Sequence, residues 1–345
     1  MSRIRFLLPQ VKTVAQGRPQ QCPHCQGGLW QRHGLAPKPV KDLRESVVTA
    51  IRYRCTQCQR TFRHYPEGID RHDQSQRLRA LVALLWALGL SHQSISDVLV
   101  ALGAPIAKMT SWRDVQEAGL GVLRGLAMPA SVEVIGADET VLKVKGKQRV
   151  VGFVVEPGSG AVLGLELLAQ QDTSAFIRWL KKYAQGLGVK VVVSDDLATY
   201  KPVVEELGVE HQVCLAHVRK NVKRRLQEIK GWAPEKEKIA ELLQELPREG
   251  GLALMELEKV VRSVPKLREL VVELAQRWRS LVCYQGKPGV PRTNNRTEQG
   301  IGRSKIRYKT MRGFKSAAGL MNGLYLTQWV WRPGEVRDLS SLLAA

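Results

Sequence analysis

The chain has 345 residues, of which 44% are hydrophobic and 25% are charged, a composition that excludes wholesale disorder. Its 53 Lys and Arg residues outnumber 32 Asp and Glu residues, and a net charge of +21 predicts a polyanionic partner, because cationic side chains displace the counterions of phosphate backbones. The longest apolar run, Ala80 to Leu90, is too short to span a bilayer, and the first residues lack the apolar core of a signal peptide. We therefore expect a multidomain cytoplasmic protein that binds nucleic acid and no membrane.

Four of the six cysteines form two C-x2-C pairs, Cys22 with Cys25 and Cys55 with Cys58. Each pair places two thiolates on one tight turn, so the two pairs together supply the four sulfurs of a tetrahedral zinc site. Residues 46–53 are strand-forming and lead into the second pair, which predicts a zinc ribbon over residues 1–72 with one structural Zn²⁺. The segment is strongly basic, which favours contact with DNA. Metal-stabilised folding of a module too small to bury enough core alone would explain the zinc site equally well. Three histidines are alternative ligands that we expect at the surface instead, namely His24, His33 and His64.

Residues 73–127 have the order of a helix-turn-helix domain. Apolar residues at helical spacing predict a helix over 78–88, Ser91 is a good N-cap for a second helix over 93–102, and a third is expected over 106–117. In such a domain the third helix lies in the major groove, and a simple helical connector is the alternative. The Gly-rich stretch 119–129 indicates a hinge. The side chains expected to face DNA are Lys108, Thr110, Ser111 and Arg113.

From residue 132 the pattern changes to strands. Runs over 132–144, 149–156 and 161–168 predict three antiparallel strands, followed by a helix over 173–185, a strand over 189–193, a helix over 201–207 and a strand over 211–215. This order is the layout of an RNase H-like α/β domain, which we place at 132–230 and 286–345, with a segment of helical periodicity at 231–285 between its parts.

Three acidic residues occupy positions where they can converge. Asp138 lies in the first strand, Asp195 follows the fourth strand, which neighbours the first in such a sheet, and Glu298 begins a helix. Three convergent carboxylates are the ligands that a two-metal phosphoryl-transfer site needs, with two Mg²⁺ (or Mn²⁺) ions about 4 Å apart. Asp196 is a rival of Asp195, whereas Glu139 is expected to point to the opposite face of its strand.

These acids lie in motifs that resemble the DDE transposases of bacterial insertion sequences. The matching segments are 136–140 (GADET) with 143–147 (KVKGK), 194–200 (SDDLATY), and 294–299 (NNRTEQ) with Lys305 and 312–316 (RGFKS). The resemblance covers roughly residues 132–332. It implies that Asp138, Asp195 and Glu298 are the catalytic metal ligands and that Lys305, seven residues after Glu298, contacts DNA at the cleavage site.

The chain departs from the short-form relatives in one respect, because 103 positions separate Asp195 from Glu298. The segment between them resembles the all-helical insertion of mutator-like transposases, and Cys214 with His217 matches the C-x2-H element of those relatives. We expect this pair to lie beside the active site, with half of a second zinc site as the alternative. Trp232 and Trp278 are expected to pack in the insertion rather than to stack on an unpaired base.

Two basic clusters flank these motifs. Residues 286–315 contain nine Lys or Arg and one acid, and among them Arg303, Lys305 and Arg307 are expected to bind DNA. The second cluster consists of Arg219, Lys220, Lys223, Arg224 and Arg225.

The resemblance implies a DDE transposase that binds transposon terminal inverted repeats and target DNA. It would hydrolyse a phosphodiester and then use the freed 3′-OH to attack the target. Synapsis of two ends implies a homodimer or higher oligomer, and the location would be the bacterial cytoplasm, at the nucleoid. The alternatives are a transposase-derived DNA-binding regulator without catalysis, a structure-specific RNase H-like nuclease, and an RNA-binding zinc protein.

Overall fold

The computed structural model describes residues 4–169, 171–311, 313–332, 334 and 336–343. The chain forms two compact units, which we name the N-terminal unit (Met1–Leu126 with Ile306–Ala345) and the central unit (Ala127–Lys305). Among the described residues, no helix combines the length and the apolar character needed to cross a bilayer.

The strands and helices are numbered separately along the chain. The strands are β1 (Arg5–Leu7), β2 (Trp30–Pro39), β3 (Val47–Cys55), β4 (Thr61–His64), β5 (Val134–Val144), β6 (Lys147–Glu156), β7 (Ala161–Leu168), β8 (Val191–Ser194), β9 (Glu210–Val213) and β10 (Val336–Asp338). The helices are α1 (Gln76–Ala87), α2 (His92–Ala101), α3 (Lys108–Arg124), α4 (Thr173–Leu187), α5 (Tyr200–Leu207), α6 (Leu215–Gln227), α7 (Ala233–Glu245), α8 (Gly250–Val260), α9 (Pro265–Leu281), α10 (Asn295–Lys309) and α11 (Ala317–Trp331).

The cysteine-rich part of the N-terminal unit is a small antiparallel sheet in the order β2-β3-β4. The strand expected over 46–53 is β3, and it ends at Cys55. A small aromatic core covers one side of the sheet, where Tyr53 lies between Trp30 and Phe62 with ring centroids 4.7 and 5.8 Å away. A core this small buries little apolar surface, which is why such a module needs a further source of stability.

Three helices follow, as the hydrophobic spacing predicted. Helix α1 ends at Ala87, and the chain then turns at Gly89, whose φ of +120° is costly for residues with a side chain. The predicted N-cap of α2 is confirmed, since Ser91 Oγ accepts a hydrogen bond from the backbone N–H of Ser94 at 3.0 Å.

The hinge expected over residues 119–129 is wrong in its first half, because α3 continues to Arg124. The glycines there serve packing instead. A Cβ on Gly119 would lie 2.2 Å from the backbone oxygen of Asn322 in α11, and one on Gly121 would lie 2.2 Å from that of Leu342. These glycines therefore let neighbouring backbone segments approach α3 closely, a contact that the local sequence does not reveal.

The C-terminal segment also differs from the expectation that residues 286–345 complete the catalytic domain. Residues from Ile306 onwards belong to the N-terminal unit, where α11 packs on α3 and α1 and β10 pairs in parallel with β1. One side of α11 is buried, through Leu320, Leu324, Tyr325, Leu326 and Val330. This long-range packing joins the two ends of the chain in one unit, which neither periodicity nor composition predicts.

The central unit contains a five-stranded sheet in the order β7-β6-β5-β8-β9. Strands β5, β6 and β7 are antiparallel neighbours, whereas β8 pairs in parallel with β5 and β9 in parallel with β8. The seven predicted strands and helices of this region are all present, with ends within a few residues of those expected. Helices α4 and α5 cover one face, where Phe176, Trp179 and Tyr200 form the centre of the core.

The segment between β9 and α10 is helical, as its periodicity predicted. Helices α6 to α9 enclose a separate apolar core that includes Leu254, Leu270 and Trp278. Trp278 is buried and its indole N–H donates to the backbone oxygen of Pro247 at 2.8 Å, so it packs within the insertion rather than presenting a face to a base. Trp232 packs against the same core.

Candidate active site

The register between two parallel strands brings Asp138 and Asp195 to one edge of the central sheet. Gly136 of β5 lies opposite Val193 of β8, and each aspartate follows its strand partner by two residues. Because side chains two positions apart in a strand project from the same face, both carboxyl groups are carried on one side of the sheet. The side that carries them is opposite the α4–α5 core, into which Ala137 projects.

The start of α10 is docked directly on β5. The side-chain amide of Asn294, just before the helix, donates to the backbone oxygen of Ala137 at 2.9 Å. Gly136 makes this approach possible, because a Cβ there would lie 2.2 Å from Thr297 Oγ1 and 2.9 Å from Asn294 Oδ1. Both Asn294 and Thr297 are buried. Glu298, the next residue, is thereby held in the first turn of α10 beside β5.

Burial and neighbouring charges raise the pKa values of two of these carboxyl groups. For Asp138, burial first and then the charges of Asp195, Glu139 and Glu298 together raise the pKa to about 7, opposed by a hydrogen bond of 2.8 Å from the backbone N–H of Glu139. Burial also raises the pKa of Asp195, opposed by the Leu197 N–H and by His217 and assisted by Asp196 and Glu298. Asp138, Asp195 and Glu298 are thus half-buried acids beside the same edge of the sheet, close enough for the charge of one to disfavour ionisation of another. An all-oxygen cluster of this kind suits a hard divalent cation.

The carboxylate of Asp196 is occupied by other partners. Its Oδ1 accepts from Arg277 of α9, and its Oδ2 accepts from the side-chain amide of Asn221 in α6 at 2.8 Å. Asp196 therefore ties the helical insertion to the end of β8, a role that the sequence did not indicate. Of the two adjacent aspartates, Asp195 is the one that electrostatically couples to both Asp138 and Glu298.

Glu139 lies on the opposite side of β5 from Asp138. It accepts hydrogen bonds from the hydroxyl of Tyr200 at 2.9 Å and from the side-chain amide of Gln171 at 2.7 Å. Burial raises the pKa of Glu139, and these two donors lower it. The residue thus links β5 to α5 behind the acidic cluster. No sequence signal identified Tyr200 as its partner, because 61 positions separate the two residues.

The C-x2-H pair lies beside the three acids. Cys214 immediately precedes α6, and its backbone N–H donates to the backbone oxygen of Ser194 at 2.8 Å, next to Asp195. His217 lies in the first turn of α6, with its Nδ1 3.7 Å from Glu298 Oε1. The Cys214 thiol, the His217 ring and the Glu298 carboxylate offer ligand atoms that all lie within 4.8 Å of one another.

The basic residues of α10 do not share one environment. Lys305 is exposed and Arg303 is half-buried, so both reach solvent. Arg307 does not, because its guanidinium stacks on Trp86 at 4.3 Å from the ring centroid and donates to Leu90 O at 3.1 Å and to Thr310 Oγ1 at 2.6 Å. The prediction that Arg307 binds DNA is therefore wrong for this conformation. Arg312 lies outside the described residues.

The second basic cluster is also partly engaged within the protein. Arg219 donates to the backbone oxygen of Leu243 at the end of α7, and Arg225 pairs with Glu273 of α9. These two side chains stabilise the helical insertion. The other three members of the cluster are exposed: Lys220, Lys223 and Arg224.

Of the four residues of α3 expected to face DNA, three reach the surface. Lys108 and Arg113 are exposed and Thr110 is half-buried. Ser111 is fully buried, and its hydroxyl forms a hydrogen bond of 3.0 Å with His92 Nδ1 in α2. The expectation for Ser111 is therefore wrong, because the helical turn carries it towards the packed side of α3.

The four cysteines of the N-terminal unit converge as a ligand set. Their sulfurs all lie within 4.8 Å of one another, with Cys22 3.8 Å from Cys58 and Cys25 3.5 Å from Cys55. Tetrahedral zinc with Zn–S bonds of about 2.3 Å separates its sulfurs by roughly 3.8 Å, so this arrangement fits the metal. The set is complete without a histidine, and His64 instead bonds to the backbone oxygen of Gln16.

The model of the family described as "Transposase IS66 family" matches residues 75–249, just over half of the chain, a span that includes Asp138, Asp195, Cys214 and His217 and ends before Glu298. The chain is similar to a solved structure of the catalytic core domain of BIV integrase, with 13% identity, a TM-score of 0.21, and coverage of 51% of this chain and 99% of that one. No curated protein matches it. On the extent of the family match, the chain belongs to the IS66 family of transposases.

Proposed function

We propose that the protein is a DDE-type transposase, which binds transposon ends and performs metal-dependent strand cleavage and strand transfer on DNA. The observation that carries the proposal is the convergence of Asp138, Asp195 and Glu298, in a chain of the IS66 transposase family. A group of three half-buried acids, with the pKa of Asp138 raised to about 7, is unfavourable unless a cation neutralises it. In a chain of net charge +21 this concentration of acid serves a site rather than the surface.

Asp138, Asp195 and Glu298 would hold two Mg²⁺ or Mn²⁺ ions in an RNase H-like core. Bound ions of this kind activate the attacking oxygen and stabilise the leaving oxygen of a phosphodiester. The protein's own contribution is placement. Asn294 and the absent side chain of Gly136 fix Glu298 against β5, and the β5–β8 register fixes the two aspartates relative to each other.

Two sets of surface residues are proposed to contact DNA, one on α10 and one on α3. Lys305 and Arg303 follow Glu298 along α10 and would bind the backbone next to the cleaved bond. Lys108, Thr110 and Arg113 of a helix-turn-helix would read the terminal repeats, assisted by a zinc ribbon with Zn²⁺ on the four cysteines. The reaction on paired ends implies a homodimer or larger synaptic assembly, in the cytoplasm of the host cell.

The test is cleavage and joining of a duplex that carries the terminal repeats, in Mg²⁺. Asp138→Asn and Glu298→Gln should each lower the cleavage rate at least about a thousandfold. Each variant removes a negative charge that would bind the metal ions, and with it several kcal/mol of transition-state stabilisation. Both should retain end binding in a mobility-shift assay. The matched control is Glu206→Gln, an exposed acid on α5 of the same unit, which should cleave as wild type does.

Each outcome distinguishes a rival. Full cleavage by either active-site variant contradicts the assignment of the catalytic acids. End binding by the wild type with no cleavage in Mg²⁺ or Mn²⁺ indicates a DNA-binding regulator. Cleavage without joined products indicates a nuclease.

A further inference from the structure

Cys214, His217 and Glu298 form a group whose composition differs from that of the acidic cluster it adjoins. The three ligand atoms are a sulfur, an imidazole nitrogen and a carboxylate oxygen, all within 4.8 Å of one another. Two backbone hydrogen bonds fix the start of α6, from Cys214 N–H to Ser194 O at 2.8 Å and from Leu215 N–H to Arg292 O at 3.0 Å. The ligand positions are therefore set by strand and helix ends rather than by a loose loop.

Two of these ligand atoms are buried without a hydrogen-bond partner. Among the described residues, neither His217 Nδ1 nor Glu298 Oε1 has one, although each atom is shielded from solvent. They lie 3.7 Å apart, which is beyond direct hydrogen bonding. Buried polar atoms in this situation call for a ligand, because leaving them unpaired is unfavourable.

A metal ion fits between these atoms. Zinc bonds to nitrogen and oxygen are about 2.0–2.2 Å long, and two such ligands of one ion are separated by roughly 3.1–3.7 Å at coordination angles of about 100–120°. The distance of 3.7 Å between His217 Nδ1 and Glu298 Oε1 lies at the upper end of that range. A thiolate beside an imidazole selects zinc rather than magnesium, which prefers oxygen ligands alone.

We propose that Cys214 Sγ, His217 Nδ1 and Glu298 Oε1 bind a second Zn²⁺, separate from the four-cysteine site, with its fourth position open. Binding releases the Cys214 thiol proton to solvent, since the thiolate is the ligand. Glu298 is also a ligand of the proposed Mg²⁺ site, so this part of the inference rests on the proposed function. Zinc on this group draws Glu298 Oε1 away from magnesium, and it thereby inhibits Mg²⁺-dependent cleavage.

The first test is the zinc content of the full-length protein, measured by metal analysis after equilibration with a limiting chelator. The wild type should hold two zinc ions per chain, and Cys214→Ser and His217→Asn should each hold one. Loss of a direct ligand should weaken the second zinc at least about a hundredfold, since even outer partners of metal ligands are worth 10–100-fold. The control is Cys283→Ser, because Cys283 is likewise buried but lies near Glu210 and Lys287, outside both ligand sets.

Circular dichroism of each variant shows whether it folds. The side chain of His217 is 40% exposed, so His217→Asn tests the site even if a change at the buried Cys214 disturbs packing. Equal zinc content in wild type, Cys214→Ser and His217→Asn overturns the proposal. Loss of the second zinc from Cys283→Ser as well overturns it too, because binding would then not depend on the named ligands.

The second test is zinc titration of cleavage in excess Mg²⁺. Zinc should inhibit the wild type at a concentration at least about tenfold below that needed for His217→Asn. Equal zinc sensitivity of the two proteins contradicts the sharing of Glu298. If no variant cleaves DNA, the proposed function fails while the zinc content still decides the site, so the two failures are distinguishable.

Discussion

At the scale of single residues, the surroundings of Asp138 disfavour the negative charge of its carboxylate. It is half-buried, and the charges of Asp195, Glu139 and Glu298 add to the effect of desolvation, so that together they raise its pKa to about 7. A carboxyl group that loses its proton with difficulty in the folded chain destabilises that chain at neutral pH. A bound cation would offset this cost by neutralising the carboxylate. Sites that lower the stability of the folded chain in return for activity are common in enzymes.

This electrostatic cost predicts a specific pH dependence of stability. An ordinary aspartate has a pKa of about 3.9, so the unfolded chain loses the Asp138 proton before the folded chain does, and the free energy of unfolding falls as pH rises from about 4 to about 7. In the His217→Asn background, which keeps zinc on the four cysteines but lacks the second zinc proposed above, and without added Mg²⁺, Asp138→Asn should raise the free energy of unfolding at pH 8 by about 1–3 kcal/mol. The gain at pH 5 should be at most about half as large.

Urea denaturation at the two pH values measures the effect. Glu206→Gln, on the exposed surface of α5, should change the free energy of unfolding by no more than about 0.5 kcal/mol at either pH. A gain for Asp138→Asn that is equal at pH 5 and pH 8 would mean that the charge of Asp138 is not its source.

At the scale of elements, the position of α10 decides whether the site exists. The helix begins where Asn294 bonds to the backbone of β5, and it can lie that close only because residue 136 is glycine. Glu298 lies in the first turn of α10, so the docked start of the helix sets the position of its carboxylate beside Asp195 and His217. The contact between one strand and one helix start thus places Glu298 beside the two aspartates.

Gly136→Ala should therefore damage catalysis more than folding. The added Cβ would lie 2.2 Å from Thr297 Oγ1 and displace the start of α10, and a displacement of about 1 Å at a reacting group can cost about a hundredfold in rate. We expect Mg²⁺-dependent cleavage to fall about a hundredfold while circular dichroism stays that of the wild type. Removing the obstructing hydroxyl in Gly136→Ala/Thr297→Ala should restore part of the activity.

The control for this prediction is another glycine within a regular element. Gly186 lies in α4 with no atom within 4 Å of an added Cβ, so Gly186→Ala should leave cleavage unchanged and stabilise the protein by about 0.5–1 kcal/mol through helix propensity. If Gly136→Ala cleaves DNA as well as Gly186→Ala does, close docking of α10 is not what places Glu298.

At the scale of the whole molecule, the two compact units have different sources of stability. The central unit contains two large apolar cores, one around the sheet and one in the helical insertion. The sheet β2-β3-β4 in the N-terminal unit has only a small aromatic core, beside which the four cysteine sulfurs gather. Zinc on the four cysteines is therefore expected to stabilise the sheet β2-β3-β4 and not the central unit, since zinc can supply most of the folding free energy of a small module.

Cys58→Ser should accordingly unfold the cysteine-rich sheet alone. We expect backbone amides of β3 and β4 to lose protection from hydrogen exchange at least about tenfold, while those of β5 and β8 stay protected, because the central cores do not depend on that metal. Affinity for transposon ends should fall as well. Hydrogen exchange measured by mass spectrometry resolves the segments.

Cys283→Ser is the matched variant, since it removes a buried thiol that lies outside the four-cysteine set. It should leave the protection of β3 and β4 unchanged. Loss of protection in β5 and β8 on replacing Cys58 would show that the two units do not fold independently.

The sequence by itself determined most of the strands and helices of this protein and the residues of its candidate sites. Hydrophobic period and turn residues predicted the strands and helices of the central unit, the N-cap at Ser91 and the helical insertion, because these depend on neighbours within a few positions. The spacing of four cysteines predicted a ligand set that the structure brings together. Motif resemblance pointed to the three acids. Strand order accounts for the proximity of Asp138 and Asp195, whereas the docking of α10 on β5 brings Glu298 beside them.

Only the tertiary structure decided which side chains of each helix are buried and which distant residues they contact. Arg307 and Ser111 belong to helices with basic or polar surfaces, yet one stacks on Trp86 and the other bonds to His92. Gly119 permits close helix packing instead of a hinge, and Asp196 anchors the insertion through Arg277, 81 positions away. Local sequence fixes backbone conformation within a few residues, whereas these contacts join distant segments, and only the packing of whole elements determines them.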